Sequence, residues 1–410
     1  MGFIEILKER EHLSQKTHDQ ELVDHLAEKP RTAYIGFDPT AKSLHVGSLM
    51  QIMCLRRWQQ AGHRVIVLVG GGTVVVGDPT GKTEMRQMLA NQQIEENLVG
   101  IKEQLSAYLD LSDPAKGIMV NNADWLLKLQ YIPFLREIGP HFSVNRMLTA
   151  ECFKQRMEKG LSFLEFNYML LQSYDFLHLY RQEQCTVQMG GDDQWSNILG
   201  GMELVRRLEK GQAFGITTPL LQTADGKKMG KTEKGAVWLD PEQTSPYEYF
   251  QFWRNTEDGL LKRCLKIYTD HPTAEIDAID MSDAKQINAG KELLATLATT
   301  LLHGQKAADD ALETSKKLFS GSGGGGAEPV MTIARQEFGD SMQIGDLLTK
   351  AGVFASKGEI RRLVQQNGLA LDGQKVSDFN LEISSDQIDK EDGLLVKKGK
   401  KHYYRLRFSD

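Results

Sequence analysis

Between residues 31 and 215, short apolar runs alternate with helical patterns, and this alternation constrains the fold more than any other feature of the chain. TAYIGF (Thr32–Phe37) is followed by a helix-patterned segment over Leu49–Ala61 that stops at Gly62. VIVLV (Val65–Val69) comes next, and a further helix is expected from about Lys82. Such alternation implies parallel strands joined by crossover helices, hence an α/β sheet. Ligands of these sheets sit at the carboxyl ends of the strands. Two segments fall there: FDPT (Phe37–Thr40) and GGGTVVVGDPTGKT (Gly70–Thr83). The glycine-rich one has the appearance of a phosphate loop but fails two familiar tests. A P-loop ending in Gly81-Lys82-Thr83 needs glycine where Val76 stands, and a dinucleotide fingerprint opening at Gly70 and Gly72 needs glycine or alanine at Val75. Asp78 and Lys82 therefore call for another explanation.

From about Ala236 to Phe319 the pattern changes to helices alone. GSGGGGAEP (Gly321–Pro329) then places five glycines in six positions, which reads as a flexible linker or disordered tether. Beyond it, Gln343–Asp410 is expected to form a small separate unit with 12 Lys+Arg against 10 Asp+Glu, a balance of +2 within a chain of net −6. Lys357, Arg361 and Arg362 recur at helical spacing. Lys397, Lys398, Lys400, Lys401, Arg405 and Arg407 cluster near the end, with Tyr403 and Tyr404 interleaved. A solvated tail is one reading. Two basic clusters on one module after a tether favour contact with an RNA backbone.

A length of 410 residues allows two or three domains, and the net negative charge excludes a basic field over the whole chain. Four cysteines lie far apart with no C-x-x-C pair, which argues against a zinc site or a disulfide framework. Reduced thiols in a cytoplasmic protein fit that spacing. The N-terminal MGFIEILKEREHL carries charges where a signal peptide would be apolar, and no run approaches the roughly 18 apolar residues of a membrane span.

Four constellations carry chemistry. In PTAKSLHVGSL (Pro39–Leu49), Thr40 and His45 stand before a helix N-terminus and Gly47 permits close approach, an arrangement suited to phosphate. A helix cap or surface histidine is the plainer alternative. In GKKMGKT (Gly226–Thr232), three lysines in five residues between glycines form either a solvent-exposed turn or a mobile cationic loop for a polyphosphate. In FNYMLLQSYDFLHL (Phe166–Leu179), Tyr168, Gln172 and Asp175 share one face of an otherwise apolar helix. Buried polar groups need partners, so a ligand-lined pocket is the better reading. In MGGDDQWSN (Met189–Asn197), Asp192, Asp193 and Gln194 offer acceptors for hydroxyls or an amine, and no histidine or third carboxylate nearby supports a metal site.

HVGS paired with KMGKT resembles the HIGH and KMSKS signatures of class I aminoacyl-tRNA synthetases. The order YIGFDPTAKSLHVGS, GDPTGKTEMR, FNYMLLQSYDF, GGDDQW, KKMGKT and SPYEYFQFW is similar to the bacterial tyrosyl-tRNA synthetases over nearly the whole chain. MQIGDLLTKAGVFASKGEIRRLVQQNGLALDG resembles an S4-type RNA-binding domain. The resemblance implies a Rossmann-like parallel-sheet catalytic domain over 1–222. After it would come the KMSKS-like loop with an α-helical domain over 223–320, the glycine-rich linker over 321–339 and an S4-like α+β domain over 340–410. It further implies tyrosine activation by ATP with magnesium, no protein-bound zinc, transfer to tRNA, a homodimer and a cytoplasmic location.

Residue by residue, the resemblance puts Tyr34 and Asp175 on the phenol hydroxyl, and Asp78, Tyr168, Gln172 and Gln194 around the rest of the tyrosine. Gly36, Asp38, Gly47, Gly191, Asp193 and Met229 fall around ATP and the adenylate. Thr40, His45, Ser48, Lys82, Arg86, Lys228 and Lys231 fall on the reacting phosphates. The two basic clusters themselves offer Lys357, Arg361, Arg362, Lys397 and Lys398 to RNA. The Gly70–Thr83 loop would then touch both substrates, its glycines letting the backbone come close. The chain departs from the signatures at Ser48, where the family has histidine, and at Gly230 and Thr232, where serines are usual. Asp192 replaces a smaller neutral residue. The rival readings are a tryptophanyl-tRNA synthetase, an inactive RNA-binding protein on a synthetase scaffold, and a nucleotidylyltransferase.

Overall fold

Residues 2–74, 76–78, 91–150, 153, 157, 160–220, 231–232, 235–320, 328–390, 392–399 and 402–409 are described by a computed structural model. The chain divides into two compact units, Met1–Asp240 with Glu257–Ile287, and Pro241–Thr256 with Asn288–Asp410.

The alternation of the first half becomes a six-stranded sheet. Its strands are β1 (Gln15–Lys16), β2 (Thr32–Phe37), β3 (Arg64–Val69), β4 (Gly117–Asn121), β5 (Cys185–Gly191) and β6 (Phe214–Thr218), in the order β1-β6-β5-β2-β3-β4. All neighbours are parallel except β1, which runs antiparallel along the edge of β6. Parallel strands covered on both faces read as continuous apolar runs, and β3 is buried from Val65 to Val69. The chain lays down β2, moves outward to β3 and β4, then returns to the other side of β2 for β5 and β6. The crevice between β2 and β5 is therefore the switch point, where a ligand is expected. A short antiparallel hairpin, β7 (Lys231–Thr232) with β8 (Gly235–Ala236), follows the sheet in sequence.

Between β2 and β3 the Leu49–Gln60 helix buries Ile52, Met53, Leu55 and Trp58, and Gly62 at φ +87° turns the chain back into the sheet. Near its end, Arg56 and the buried Arg57 pair with Asp270, which ties the 257–287 segment into this unit. The Tyr168–Glu183 helix precedes β5 and stops at Gln184 in the left-handed region.

In the second unit the Pro246–Arg254 helix begins with a capping box between Ser245 and Glu248. It packs on the Gln305–Ser320 helix, where Gln251 Nε2 donates to Ser315 Oγ at 3.1 Å. The small domain has β9 (Val330–Ala334), β11 (Leu369–Leu371), β12 (Gln374–Lys375), β14 (Leu394–Lys398) and β15 (His402–Ser409) in the order β12-β11-β14-β15-β9. A pair, β10 (Ser341–Gln343) with β13 (Glu382–Ser384), stands apart. The Ile344–Lys350 and Lys357–Gln365 helices help close its core on Leu347, Leu348, Ile360, Val396 and Leu406.

Two expectations change here. β9, parallel to β15, falls within the stretch read as linker, so the domain's sheet begins by Val330. The domain also shares a compact unit with the Gln305–Ser320 helix instead of forming a separate one. The outer face of β14 and β15 explains this, because Leu395 and Tyr403 there are buried and Tyr403 Oη donates to Leu318 O at 3.5 Å. Arg405, from the supposed basic cluster, forms an enclosed ion pair with Glu328 at 3.2 Å. Among the described residues no helix is long and apolar enough to cross a membrane.

Candidate active site

A cavity of about 340 Å³ opens at the β2–β5 switch point. It brings together Tyr34, Gly36 and Asp38 from β2 and its exit, Thr40, His45, Gly47 and Ser48 from the following loop, and Asp78 from the glycine-rich segment. Tyr168, Gln172 and Asp175 enter from one helix, and Gly191, Asp193 and Gln194 from the end of β5. Lys82, Arg86, Lys228 and Met229 lie outside the described residues, and Lys231 is described only as pairing with Ala236 in the β7–β8 hairpin.

Asp175 closes the deep end. It is 1% exposed, and both its oxygens are engaged, by Asn122 Nδ2 at 2.9 Å and Trp125 Nε1 at 2.7 Å. Burial pushes its carboxyl up to about 7, against the opposing pull of these two donors. Tyr34 lies beside it with its ring edge against Phe176. Its hydroxyl is buried and has no hydrogen-bond partner among the described residues. Burial first, then the Asp175 charge, drives the phenol pKa upward, so Tyr34 remains a neutral donor. An enclosed hydroxyl without a partner costs stability unless a ligand supplies one.

A polar chain runs along one wall. Gln172 Nε2 donates to Gln194 Oε1 at 3.2 Å, and Gln194 Nε2 donates to Asp78 Oδ2 at 2.9 Å. Asn197 adds a third bond to Gln194 at 3.1 Å, and Gln172 Oε1 is buried without a partner among the described residues. The HVGS loop lines the cavity through His45, Gly47 and Ser48. His45 Nδ1 accepts from Gly47 N–H at 3.0 Å, so a neutral ring carries its proton on Nε2. The stretch after the Lys231 hairpin then runs back along this loop. Val46 N donates to Val237 O and Leu239 N to Leu44 O, both at 2.9 Å, and Trp238 sets its ring edge to face with His45 at 6.1 Å. The stretch that follows the lysine motif in sequence is thus bonded to the loop that bears His45.

The sequence reading missed Asn122 and Trp125. Asn122 also accepts from Gly72 N–H at 2.7 Å and donates to Thr73 Oγ1 at 3.0 Å, so one amide links the glycine loop to Asp175. Its only signal was NNADW at the end of a strand. The glycines also act differently from expectation. A Cβ on Gly71 would run into the Asn121 side chain, and one on Gly72 would meet the Ala123 backbone at 3.2 Å. They let the loop press on its neighbour, while Gly70 lines the cavity.

Residues 26–320 match the family model of class I tRNA synthetases (W and Y). The chain belongs to that family. Residues 328–406 match the tyrosine–tRNA ligase SYY-like C-terminal domain. The tyrosine–tRNA ligase of Clostridium botulinum (strain Langeland) is 51% identical over 403 residues, 98% of each chain. That of Clostridium kluyveri is 50% identical over 402 residues, again 98% of each. A C-terminally truncated mitochondrial tyrosyl-tRNA synthetase of Aspergillus nidulans superposes with a TM-score of 0.70 at 30% identity, covering 78% of this chain and 94% of the other.

Against the class I synthetase signatures, Ser48 stands at the cavity wall where the signature has histidine. Its backbone N–H donates to His45 O at 2.8 Å. The candidate RNA residues separate. Arg361 and Arg362 are exposed on the Lys357–Gln365 helix, with Arg361 stacked 4.6 Å over Phe379. Lys357 is exposed but paired with Asp346 at 2.5 Å, and Lys397 lies 5.4 Å over the Tyr403 ring. Lys398 is a correction. Its ammonium pairs with Glu359 at 2.6 Å, sits 4.0 Å over Phe354 and donates to Val353 O, which makes it a tie inside the domain.

Proposed function

We infer that this chain is a tyrosine–tRNA ligase, which joins tyrosine to ATP as tyrosyl-adenylate and then passes the tyrosyl group to its tRNA. The observation that carries the reading is the unpartnered Tyr34 hydroxyl beside Asp175, a carboxylate whose geometry Asn122 and Trp125 fix. A phenol hydroxyl entering there can accept from Tyr34 and donate to Asp175. Phenylalanine would give neither of them a partner, and an indole N–H offers no acceptor for Tyr34.

With the ring so placed, the ammonium group falls to Asp78, Tyr168 and Gln172. The substrate carboxylate is already a nucleophile, so no general base is required. It attacks the α-phosphorus of ATP, a P–O bond to the new acyl phosphate forms, and the bond to pyrophosphate breaks. Charge builds on the phosphorus oxygens and the leaving group. Thr40, the His45 Nε2–H and the helix start beyond Gly47, all at the cavity, are assigned to that charge, as are Lys82, Arg86, Lys228 and Lys231 from their motifs. Magnesium carried on the phosphates supplies further neutralisation. Asp193 and Gly191 take the adenylate side, and Arg361 and Arg362 offer cations to tRNA.

The proposed assembly is a cytoplasmic homodimer. Leu127, Tyr131, Ile132, Leu135, Val144, Phe163 and Leu164 are exposed between 41% and 69%, an apolar concentration that a second copy would cover.

Purified protein should exchange labelled pyrophosphate into ATP only when tyrosine is present. Exchange with tryptophan, or with no amino acid at all, sinks the assignment. Tyr34→Phe should lower the preference for tyrosine over phenylalanine by roughly tenfold and leave the free protein as stable or more so, because an unpartnered buried hydroxyl is removed. Arg361→Glu with Arg362→Glu should slow aminoacylation while pyrophosphate exchange holds its rate.

A further inference from the structure

Asp192 is a motif residue that the tyrosine–tRNA ligase reading leaves without a task. It opens the 3-10 turn Asp192–Gln194, directly before two residues that line the cavity, yet its own side chain is turned the other way. Its Oδ2 accepts from Ser14 Oγ at 2.7 Å. Its Oδ1 accepts from Thr217 Oγ1 at 2.6 Å and from Gln15 Nε2 at 3.2 Å. These three donors come from two elements. Thr217 belongs to β6 and is wholly buried, so loss of the carboxylate removes the acceptor of an enclosed hydroxyl. Ser14 and Gln15 belong to the N-terminal segment, which is zipped to the edge of β6 by Ser14 N to Thr217 O at 2.9 Å and Thr17 N to Gly215 O at 3.0 Å. Thr17 Oγ1 accepts in return from Gly215 N–H at 2.9 Å.

The neighbouring residues have little slack. Gly191 pairs with Thr218 at the end of the β5–β6 ladder, and a Cβ at Gly191 would sit 2.6 Å from an Asp193 oxygen. Asp192 and Asp193 are consecutive residues of one 3-10 turn, so a backbone shift at Asp192 is carried to Asp193. Gln194, next along, holds the chain to Gln172 and Asp78. The phenol end is braced separately, through Asn122 and Trp125.

We propose that Asp192 is a positioning residue for the nucleotide side of the site, latching the N-terminal strand to the turn that presents Asp193. This rests on the ligase reading above. A bland alternative exists, since an acidic residue in the first turn before the Trp195–Glu209 helix also complements the helix dipole. The two differ in what Ser14 and Gln15 do. A dipole role needs only the charge, whereas the latch needs the N-terminal partners as well.

The test uses the full-length protein and steady-state pyrophosphate exchange, with ATP and tyrosine varied in turn. Asp192→Ala should raise the KM for ATP roughly tenfold, as for loss of one charge-assisted hydrogen bond, with a smaller change in kcat and an unchanged preference for tyrosine over phenylalanine. The double variant Ser14→Ala/Gln15→Ala, confined to exposed side chains, should shift the ATP KM in the same direction. Combined with Asp192→Ala it should add nothing further, the mark of a shared interaction. Amide hydrogen exchange at Thr17 should accelerate in Asp192→Ala, a readout independent of activity. Full additivity of the two lesions, or a normal ATP KM in Asp192→Ala, overturns the latch. An unmutated chain that fails to exchange pyrophosphate with tyrosine overturns the ligase reading instead, and the amide measurement still judges the latch.

Discussion

A carboxylate enclosed as completely as Asp175 costs the fold stability whenever it is ionised. In the unfolded chain its pKa is about 3.9; in the folded protein burial raises it to about 7. Between those values the folded state binds more protons than the unfolded state, so stability falls as pH rises through the window and levels off above it. Asp175→Asn removes this titration. The unfolding free energy of the unmodified protein minus that of the variant should therefore decrease from pH 5 to pH 8, by on the order of 2 kcal/mol. Denaturant melts at the two pH values measure it, and a flat or rising difference contradicts the assigned direction. The same residue shows what was legible at this scale. Tyr168, Gln172 and Asp175 share a face by helical spacing alone, so the sequence discloses the stripe. Asn122 and Trp125 reach Asp175 from the far end of another strand, and no local pattern in NNADW distinguishes them from an ordinary turn.

At the scale of elements, the site depends on one backbone ladder joining distant motifs. Residues 237–239 lie along Leu44–Val46, so the hairpin at Lys231 returns to the loop that bears His45. Trp238→Ala keeps that ladder but removes the ring beside His45. Without this edge-to-face pairing, kcat for pyrophosphate exchange should fall by up to about tenfold. The KM for tyrosine should stay within about twofold, because the indole packs against His45, the residue assigned to the phosphates. An equal rise in the tyrosine KM would place Trp238 in the amino acid pocket instead. Alternating strands and helices were readable because each period is local. The ladder was not, since it pairs segments nearly two hundred residues apart in sequence. The glycines misled for a related reason. Their smallness was plain, but whether a ligand, or the Asn121 side chain and the Ala123 backbone, required it was decided by tertiary packing.

For the molecule as a whole, the exposed apolar residues between Leu127 and Leu164 lead to the last prediction. Ile132, 68% exposed, offers a place to set a charge without disturbing the core. If it becomes buried between two copies, Ile132→Asp should weaken self-association by roughly a hundredfold or more, which sedimentation equilibrium will read. Unchanged association would move the interface elsewhere. The overall class was legible in the chain, but the helical stretch did not read as two pieces, although its Glu257–Ile287 segment belongs with the parallel sheet and the rest with the small domain. The docking of the small domain was not legible either, because Gly321–Gly326 advertise freedom while Leu395 and Tyr403 quietly require cover. The small domain's sheet also has an order of events built into it. β15 lies between β14 and β9, yet it is the last of the five strands to leave the ribosome. Val330 must wait for Arg405, its partner, through the synthesis of every other strand in that sheet. During that interval β9 has an unclaimed edge, and the domain completes itself only after the catalytic half has long been made.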